Sequence, residues 1–304
     1  MTSNISKEFS PSTRAIIVSW SIVIIGVFAP LLGVGAAAVL AGRYGYFGWT
    51  DFILFFGMYI LGMIGITVGF HRLFTHRSFE ATKPVQFVLG VLGSMSFQGR
   101  LLEWVGRHRI HHQHSDQKGD PHSPHVPHGP GFWGRIRGFL HAHVGWALAP
   151  DHPGLEKYAP DLLKSRMICM VSSMFLFWAV LGLLIPAGLG YAINGWMGAL
   201  TGFLWGGLVR VFLAHHATWS VNSICHLWGR RRYATSDKSR NNLLVGVLAL
   251  GEGWHNNHHA FPTSTRFGHR WWELDLGYYV IRLLAMLGLA WKLKKPPVPM
   301  GQNS

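Results

Sequence analysis

The sequence predicts an all-α integral membrane protein, in which four transmembrane helices carry a cytosolic helical cap. Hydrophobic residues make up 49% of the 304 residues, whereas charged residues make up only 13%. Several long stretches carry no charge, and a helix of about 20 apolar residues is enough to cross a hydrocarbon core of about 30 Å. Basic residues are concentrated between these stretches, as they are on the cytoplasmic side of membrane proteins.

The apolar stretches set the four predicted spans. The first covers about residues 15–40 and is too long for a cleaved signal peptide, so we expect it to be retained. The others cover about residues 50–70, 167–187 and 195–216, with a tight turn near Pro186–Gly195. Residues 71–165 and 217–304 form the predicted cap, so the chain 1–304 is one membrane domain. Shorter apolar runs at 84–102 and 243–250 predict interfacial or re-entrant helices, and Asp120–Pro130 predicts a loop.

The distribution of charge predicts the orientation in the bilayer. Each of the two cap stretches holds 11 of the 27 Lys and Arg residues, and Arg43 alone falls in an outer loop. We therefore expect the cap and both termini to be cytoplasmic. The formal charge of +14 suits an anionic membrane surface. Nucleic acid is not an expected partner, because no nucleic-acid-binding module is recognisable.

Histidine is the unusual component, with 19 residues and three clusters: HRLFTH at 71–76, HRIHH at 108–112 and HNNHH at 255–259. In the second and third clusters the histidines stand at positions i, i+3 and i+4, which places three imidazoles on one face of a helix. His71 and His76 are five apart, so they share a face only where a helix frays or ends. His226 follows Asn222 by four residues, just beyond the fourth predicted span.

The number of clustered histidines predicts a site for two metal ions. The clusters hold eight histidines and His226 makes nine, whereas zinc takes about four protein ligands. Soluble diiron proteins use Glu-x-x-His pairs; we expect no such pair at these clusters and a site dominated by imidazole. The remaining histidines are expected to be structural or solvated: His114, His122, His125, His128, His141, His143, His152, His215, His216 and His269.

Long motifs in the chain resemble the membrane acyl-CoA desaturases of the stearoyl-CoA, delta-9 type. The resemblance runs from about Gly65 to Lys295. It is carried by GITVGFHRLFTHRSFE (65–80), EWVGRHRIHHQHSDQKGDPH (103–122), HVGW (143–146), TWSVNSICHLWG (218–229), SRNNLL (239–244) and GEGWHNNHHAFP (251–262). It implies a mushroom-like helical bundle in which nine histidines bind two non-haem iron ions. These match His71, His76, His108, His111, His112, His226, His255, His258 and His259, and Asn222 is expected to reach one metal through water.

The resemblance also implies a bent acyl tunnel beside the metals. Residues matching its kink are Gln98, Trp104 and Thr218, with Trp219 lining the same region, and Met63 matches a position that sets chain length. Basic residues could receive a phosphate-bearing headgroup at the mouth or simply follow the positive-inside rule: Arg107, Arg109, Arg230, Arg231 and Arg232.

The implied activity is the O2-dependent insertion of a cis double bond, at the delta-9 position, into a long-chain saturated acyl thioester. Acyl-CoA is the expected carrier, although residues 122–137 depart from animal members and leave acyl carrier protein or a phospholipid open. An unactivated C–H bond needs a metal oxidant rather than acid-base side chains. Because the chain has no haem, flavin or iron–sulfur motif, two electrons must come from an external donor such as a ferredoxin, rubredoxin or cytochrome.

Two alternatives stay open at this point. A diiron membrane hydroxylase of acyl chains or alkanes shares the first hydrogen abstraction, and histidine spacing does not separate it from a desaturase. A metal transporter would carry ionisable residues within its spans. The clustered histidines lie outside the predicted spans, which disfavours transport.

Overall fold

The predicted helices form in the computed structural model, which describes residues 13–126, 128–148 and 154–296. His152 and the two chain ends of the predicted domain lie outside the described residues. The α-helices are α1 (Thr13–Tyr44), α2 (Trp49–Ile64), α3 (Lys83–Ser94), α4 (Leu101–His114), α5 (Gly131–His143), α6 (Arg166–Ser173), α7 (Phe175–Gly202), α8 (Arg210–Leu227), α9 (Leu243–Leu248), α10 (His255–Ala260) and α11 (Leu276–Met286).

The remaining elements are short or connect the helices. Segments Gly65–Thr75 and Phe203–Val209 are π-helical, and Gly145–Leu148 and Leu155–Tyr158 are 3₁₀ turns. The one departure from an all-α fold in the described residues is a pair of two-residue strands. Strand β1 (Glu80–Ala81) pairs antiparallel with β2 (Ala290–Trp291) and ties the start of α3 to the end of the described chain.

Within the described residues, three helical stretches are long and apolar enough to cross a membrane: Val23–Tyr44, Trp49–Thr75 and Phe175–Leu227. Many of their large apolar side chains are exposed, including Leu32 at 73% and Trp196 at 82%. Water would oppose such exposure, whereas lipid tails would cover it at no cost. The first two predicted spans coincide with α1 and with α2 plus the π-helical segment after it.

The third stretch contains a reversal of the chain. Asn194 (φ −128°, ψ 18°) and Gly195 (φ 62°, ψ −152°) leave helical geometry, and Gly195 supplies the positive φ that other residues disfavour. Beyond it the backbone returns against itself, since a Cβ built on Gly198 would lie 2.2 Å from the Gly190 carbonyl oxygen. The chain therefore reverses at the C-terminal end of the region predicted to turn, Pro186–Gly195, and Pro186 lies inside the helix.

The π-helical segment Gly65–Thr75 continues α2 toward the predicted cap, and each of its residues is buried. Gly65 and Gly69 allow the close approach of α3: a Cβ on Gly65 would lie 2.1 Å from the Gly93 nitrogen. A π-helix bonds each N–H to the carbonyl five residues back, and the His76 N–H donates to the His71 carbonyl at 3.1 Å. The wider turn, rather than fraying alone, brings these two histidines to one side.

Apolar packing fixes the π-helical segment on both sides. One buried cluster surrounds Phe70 and Phe74 and includes Leu101 and Val105 of α4. A second cluster surrounds Met63 and Ile66 and includes alanines of α8. Burying apolar surface contributes about 25 cal/mol per Å² to the free energy of folding. The burial of these two clusters outweighs the free-energy cost of the irregular π-helical backbone. The segments predicted to be interfacial form α3 and α9, and the described part of Asp120–Pro130 is loop.

Candidate metal centre

Four elements deliver the nine predicted ligand histidines to one region. The π-helical segment contains His71 and is followed directly by His76, and α8 ends one residue after His226. The second and third clusters lie on helices, as their spacing predicts: HRIHH on α4 and HNNHH on α10. The fold therefore assembles residues that are up to 188 positions apart in the sequence, from 71 to 259.

The nine histidines separate into two groups. The five-histidine group consists of His71, His76, His108, His112 and His258. The four-histidine group consists of His111, His226, His255 and His259. Within each group one nitrogen from every ring lies within 4.8 Å of all the others. Helices α4 and α10 each supply histidines to both groups, so the two groups are neighbours in one centre.

The spacing of the ring nitrogens fits metal ligation. The Nε2 atom of His258 lies 3.1 Å from that of His71 and 3.0 Å from that of His112. In the other group the Nε2 atoms of His226 and His255 are 3.0 Å apart. Two nitrogens bound at right angles to one metal, with bonds of about 2.1 Å, lie about 3 Å apart. Each of the two groups therefore has the spacing that could hold a metal ion.

The ligand nitrogens are also free to bind a metal. The Nε2 atoms of His76, His111 and His259 are buried and have no hydrogen-bond partner. Leaving a buried polar atom without a partner destabilises the fold, and a bound metal ion would supply that partner. Burial holds the pKa of His108 and His258 well below its usual value, and repulsion from neighbouring imidazoles lowers it further. A neutral imidazole keeps the lone pair that a metal requires.

Four carboxylates orient four of the rings through Nδ1. His71 Nδ1 lies 2.5 Å from Glu252 Oε2. The other three pairs belong to the four-histidine group: His111–Asp120 at 3.0 Å, His226–Asp116 at 2.8 Å and His259–Asp237 at 2.7 Å. A proton held at Nδ1 leaves Nε2 as the ligand atom, and the negative charge makes the ring a stronger donor.

The same pairing keeps these carboxylates ionised. Burial opposes ionisation of Asp237, but the hydrogen bond and charge of His259, with hydrogen bonds from Ser239, lower its pKa below the usual range. For Glu252 the opposing burial is outweighed by the charges of His71 and Arg72, which lower its pKa. Each carboxylate is therefore available to its histidine at neutral pH.

A narrow cavity of about 60 Å³ reaches the five-histidine group. Its walls include the sequence-predicted residues Gln98, Trp104, Arg107, Thr218, Trp219 and Asn222, together with His71 and His108. Gln98 Nε2 donates to Thr218 Oγ1 at 2.7 Å, which joins the loop before α4 to the middle of α8. The Trp104 ring stacks on His108 with centroids 5.1 Å apart and planes at 16°. The predicted tunnel residues thus meet beside the metal centre.

Comparison with known proteins decides the family of this centre. A model of the fatty acid desaturase family matches residues 47–292. The chain belongs to the fatty acid desaturase family. The resemblance inferred from the motifs is therefore confirmed at the level of the family.

Several characterised desaturases and a related enzyme are similar over most of this chain. The hex-5-enoyl-(acyl-carrier protein) acetylenase of Moorena producens (strain JHB) is 45% identical over 249 residues, covering 81% of this chain and 78% of the relative. The sn-1 stearoyl-lipid 9-desaturase of Anabaena variabilis is 39% identical, covering 86% and 91%. The acyl-CoA C20 Delta5-desaturase of Anemone leveillei is 38% identical, covering 82% and 76%.

The carboxylates of this desaturase are residues that the sequence reasoning missed. The expectation that no Glu-x-x-His pair stands at the clusters was wrong, since Glu252 precedes His255 by three residues. Glu252 nevertheless bonds to His71, and the two metal groups themselves consist of imidazoles. Asp116 and Asp120 follow the HRIHH cluster within eight residues of His112, and this proximity was the signal available.

Two predicted substrate residues of the desaturase do not line the cavity. Met63 is fully buried beside Ile66, which does line it. Arg109 Nη1 lies 2.6 Å from Asp161 Oδ1, and its Nη2 atom donates to the Phe74 carbonyl at 2.9 Å. Arg109 thus holds α4 against neighbouring segments, and its contacts give no support to the predicted headgroup role.

The other histidines of the desaturase lie outside the two groups, but several are not simply solvated. His122 is buried, and its ring lies 4.4 Å from that of His111, near Asp120. His143 bridges His216 and Ser223 of α8, each at 2.9 Å. These bonds tie the end of α5 to the helix that carries Thr218 and Trp219.

Proposed function

We propose that this desaturase inserts a cis double bond, at the delta-9 position, into a long saturated fatty acyl chain, using O2, two non-haem iron ions and electrons from an external donor. The observation that carries the proposal is the division of nine imidazoles into groups of five and four beside a cavity lined by Gln98, Trp104 and Thr218. An all-nitrogen ligand set with room for O2 suits non-haem iron.

The proposed setting is a multi-pass membrane protein with four spans. The reversal at Asn194–Gly195 supports this count, because it divides the longest apolar stretch into two antiparallel arms. The even count places both termini on one side, and the 11 basic residues in each of 71–165 and 217–304 favour the cytoplasm for that side. The metal centre then lies just outside the bilayer, where an acyl chain can leave the lipid.

In the proposed mechanism the protein side chains position the metals and the acyl chain, and the bound iron supplies the oxidising chemistry. Bound iron would supply the oxidising power that removes hydrogen from two adjacent methylene groups. The nine histidines would hold the two ions, with Asn222 reaching one of them through water, and the carboxylates fix the rings. Gln98 and Thr218 hold the wall of the cavity together, and Trp104 packs against His108. A narrow cavity would fix which carbons face the metals and exclude bulk water.

We propose that the acyl group arrives on a phosphate-bearing carrier, with acyl-CoA as the carrier expected from the sequence. Arg107 lines the cavity and lies over the Trp146 ring at 5.0 Å, where a guanidinium can receive a phosphate. The relatives include enzymes named for an acyl-carrier-protein substrate, an acyl-lipid substrate and an acyl-CoA substrate. Sorting the products into acyl-CoA, protein-bound thioester and lipid fractions distinguishes these three sources.

The test is the fatty acid profile of cells that express the wild type or His258→Ala, measured by gas chromatography and mass spectrometry with double-bond mapping. A new monounsaturated acid in the wild type only, with the bond at carbon nine, supports the proposal. A hydroxylated product would replace desaturation by hydroxylation, and identical profiles in both strains would refute the proposed activity.

Met63 is expected to set the length of the acyl chain. Its side chain is completely buried, and it packs beside the cavity residue Ile66. In Met63→Ala we expect the product distribution to shift toward longer chains, because the side chain no longer closes the space below the metals. The measurement is turnover of a series of acyl substrates of increasing length.

Met58→Ala is the matched control, since Met58 is a buried methionine of the same helix. Both variants remove similar apolar volume and are expected to cost about 2–5 kcal/mol of stability. An unchanged chain-length profile in Met63→Ala, or the same shift in Met58→Ala, would count against this role.

A further inference from the structure

The metal centre approaches the protein surface at a second place, away from the acyl cavity. A shallow depression is lined by residues 233–237 and by His259, Ala260 and Phe261. We call it the His259 depression. It meets the four-histidine group at His259, whereas the acyl cavity meets the five-histidine group at His71 and His108. The two openings therefore reach different halves of the centre.

The wall between the depression and the centre is a single layer of side chains. His259 is itself a member of the four-histidine group, and its Nδ1 atom bonds to Asp237, which also lines the depression. The rings of Tyr233 and Phe261 lie beside it with centroids 5.1 Å apart. The His259 side chain is buried, with 2% of its surface exposed, so a redox group seated in the depression would lie one residue away from the four-histidine group.

The surface around the depression is positive. Residues 217–296 contain four acidic residues, and all four are buried: Asp237, Glu252, Glu273 and Asp275. Each is engaged internally, with Asp237 on His259, Glu252 on His71, Glu273 on Asn257 and Asp275 on Arg72. The cations Arg230, Arg231, Lys238 and Arg270 are exposed on the same stretch. An anionic partner is therefore attracted and no exposed acidic group of this stretch repels it.

We propose that the His259 depression is the docking surface of an acidic protein that carries single electrons. This proposal rests on the proposed desaturase function, which requires such a donor. Per double bond the acyl chain loses two electrons and two protons, the donor gives two electrons one at a time, and two further protons come from water. O2 accepts all four electrons and four protons and leaves as two waters.

A protein partner fits this surface better than substrate or membrane. The acyl cavity is walled by Thr218 and Trp219 of α8, which continues from the apolar arm before it. The depression is walled by the loop after α8 and by the short helix α10, outside the three stretches that are apolar enough to span. Entry of electrons through the four-histidine side leaves the five-histidine side to the acyl chain.

The experiment compares two reductants on iron-loaded protein in nanodiscs. A reduced plant-type [2Fe–2S] ferredoxin, which is acidic, and neutral reduced phenazine methosulfate are each mixed anaerobically with the oxidised enzyme. In the double variant K238E/R270E we expect the second-order rate with ferredoxin to fall about tenfold at low salt, and its dependence on ionic strength to weaken. The rate with phenazine and the iron content should stay within about twofold, because neither side chain belongs to the two histidine groups.

Lys83→Glu is the matched control, since Lys83 is exposed at the start of α3, away from the depression; its ferredoxin rate should not change. The proposal is overturned if the double variant keeps the wild-type ferredoxin rate, if the phenazine rate falls equally, or if Lys83→Glu slows ferredoxin as much. Weaker binding to anionic vesicles with an unchanged ferredoxin rate would assign the surface to lipid instead.

A separate experiment tests the proposed desaturase function: aerobic turnover of an acyl substrate by the wild type. If the wild type accepts electrons from ferredoxin but forms no double bond, the proposed function is refuted and the docking surface is not.

Discussion

Replacing His258 with alanine is expected to lower bound iron from two ions per chain toward one and to abolish double-bond formation. His258 stands at the middle of the five-histidine group, because its Nε2 atom lies about as close to His71 as to His112, at 3.1 Å and 3.0 Å. Its loss removes one ligand of a set in which His71 and His258 are buried and the other three histidines are partly buried. With one ligand fewer, the remaining imidazoles hold iron less tightly and protons compete with it more effectively.

The measurement for this variant is iron per chain by mass spectrometry on purified protein, together with product formation. His114→Ala is the control, because His114 lies two residues after His112 on the same helix but is exposed and belongs to neither group. We expect the control to keep two iron ions and full activity. Full iron occupancy in His258→Ala would contradict the assignment of the five-histidine group as a metal site.

Replacing Asp237 with asparagine is expected to weaken iron binding at the four-histidine group by about 10–100-fold, the usual effect of losing the partner of a ligand histidine. Asparagine keeps the shape of Asp237 but removes the charge that strengthens His259 as a donor across the 2.7 Å hydrogen bond. Three carboxylates support the four-histidine group, whereas Glu252 is the one bonded to the five-histidine group among the described residues. The two positions should therefore differ in their dependence on carboxylate charge.

Iron release to a chelator, followed in time, measures this effect. The wild type is expected to release iron slowly, and Asp237→Asn is expected to release one of its two ions in a distinct fast phase. Asp161→Asn is the matched control: Asp161 is also held in an ion pair, with Arg109 at 2.6 Å, but it bonds to no histidine of either group. A single slow phase in both variants would show that the charge of Asp237 does not support the metal.

The sequence by itself determined the family and predicted the candidate ligand set. The spacing i, i+3 and i+4 put HRIHH and HNNHH on α4 and α10, because a helix repeats its face at that interval regardless of its surroundings. The apolar lengths determined where the long helices run, since about 20 residues are needed to cross a bilayer. The resemblance to the desaturases identified Gln98, Trp104 and Thr218 as cavity residues, and the fold does bring them together.

Tertiary structure alone decided how these residues are shared and supported. The division into five and four depends on how α4, α8 and α10 meet, and no local spacing specifies it. The same holds for the π-helical turn that aligns His71 with His76, for the internal bonds of Arg109, and for the pairing of Glu252 with a histidine 181 positions away. Helical periodicity is a local property of the chain and can be read from neighbouring residues. Hydrogen bonds and packing between distant segments depend on the whole fold, so only the folded protein decides them.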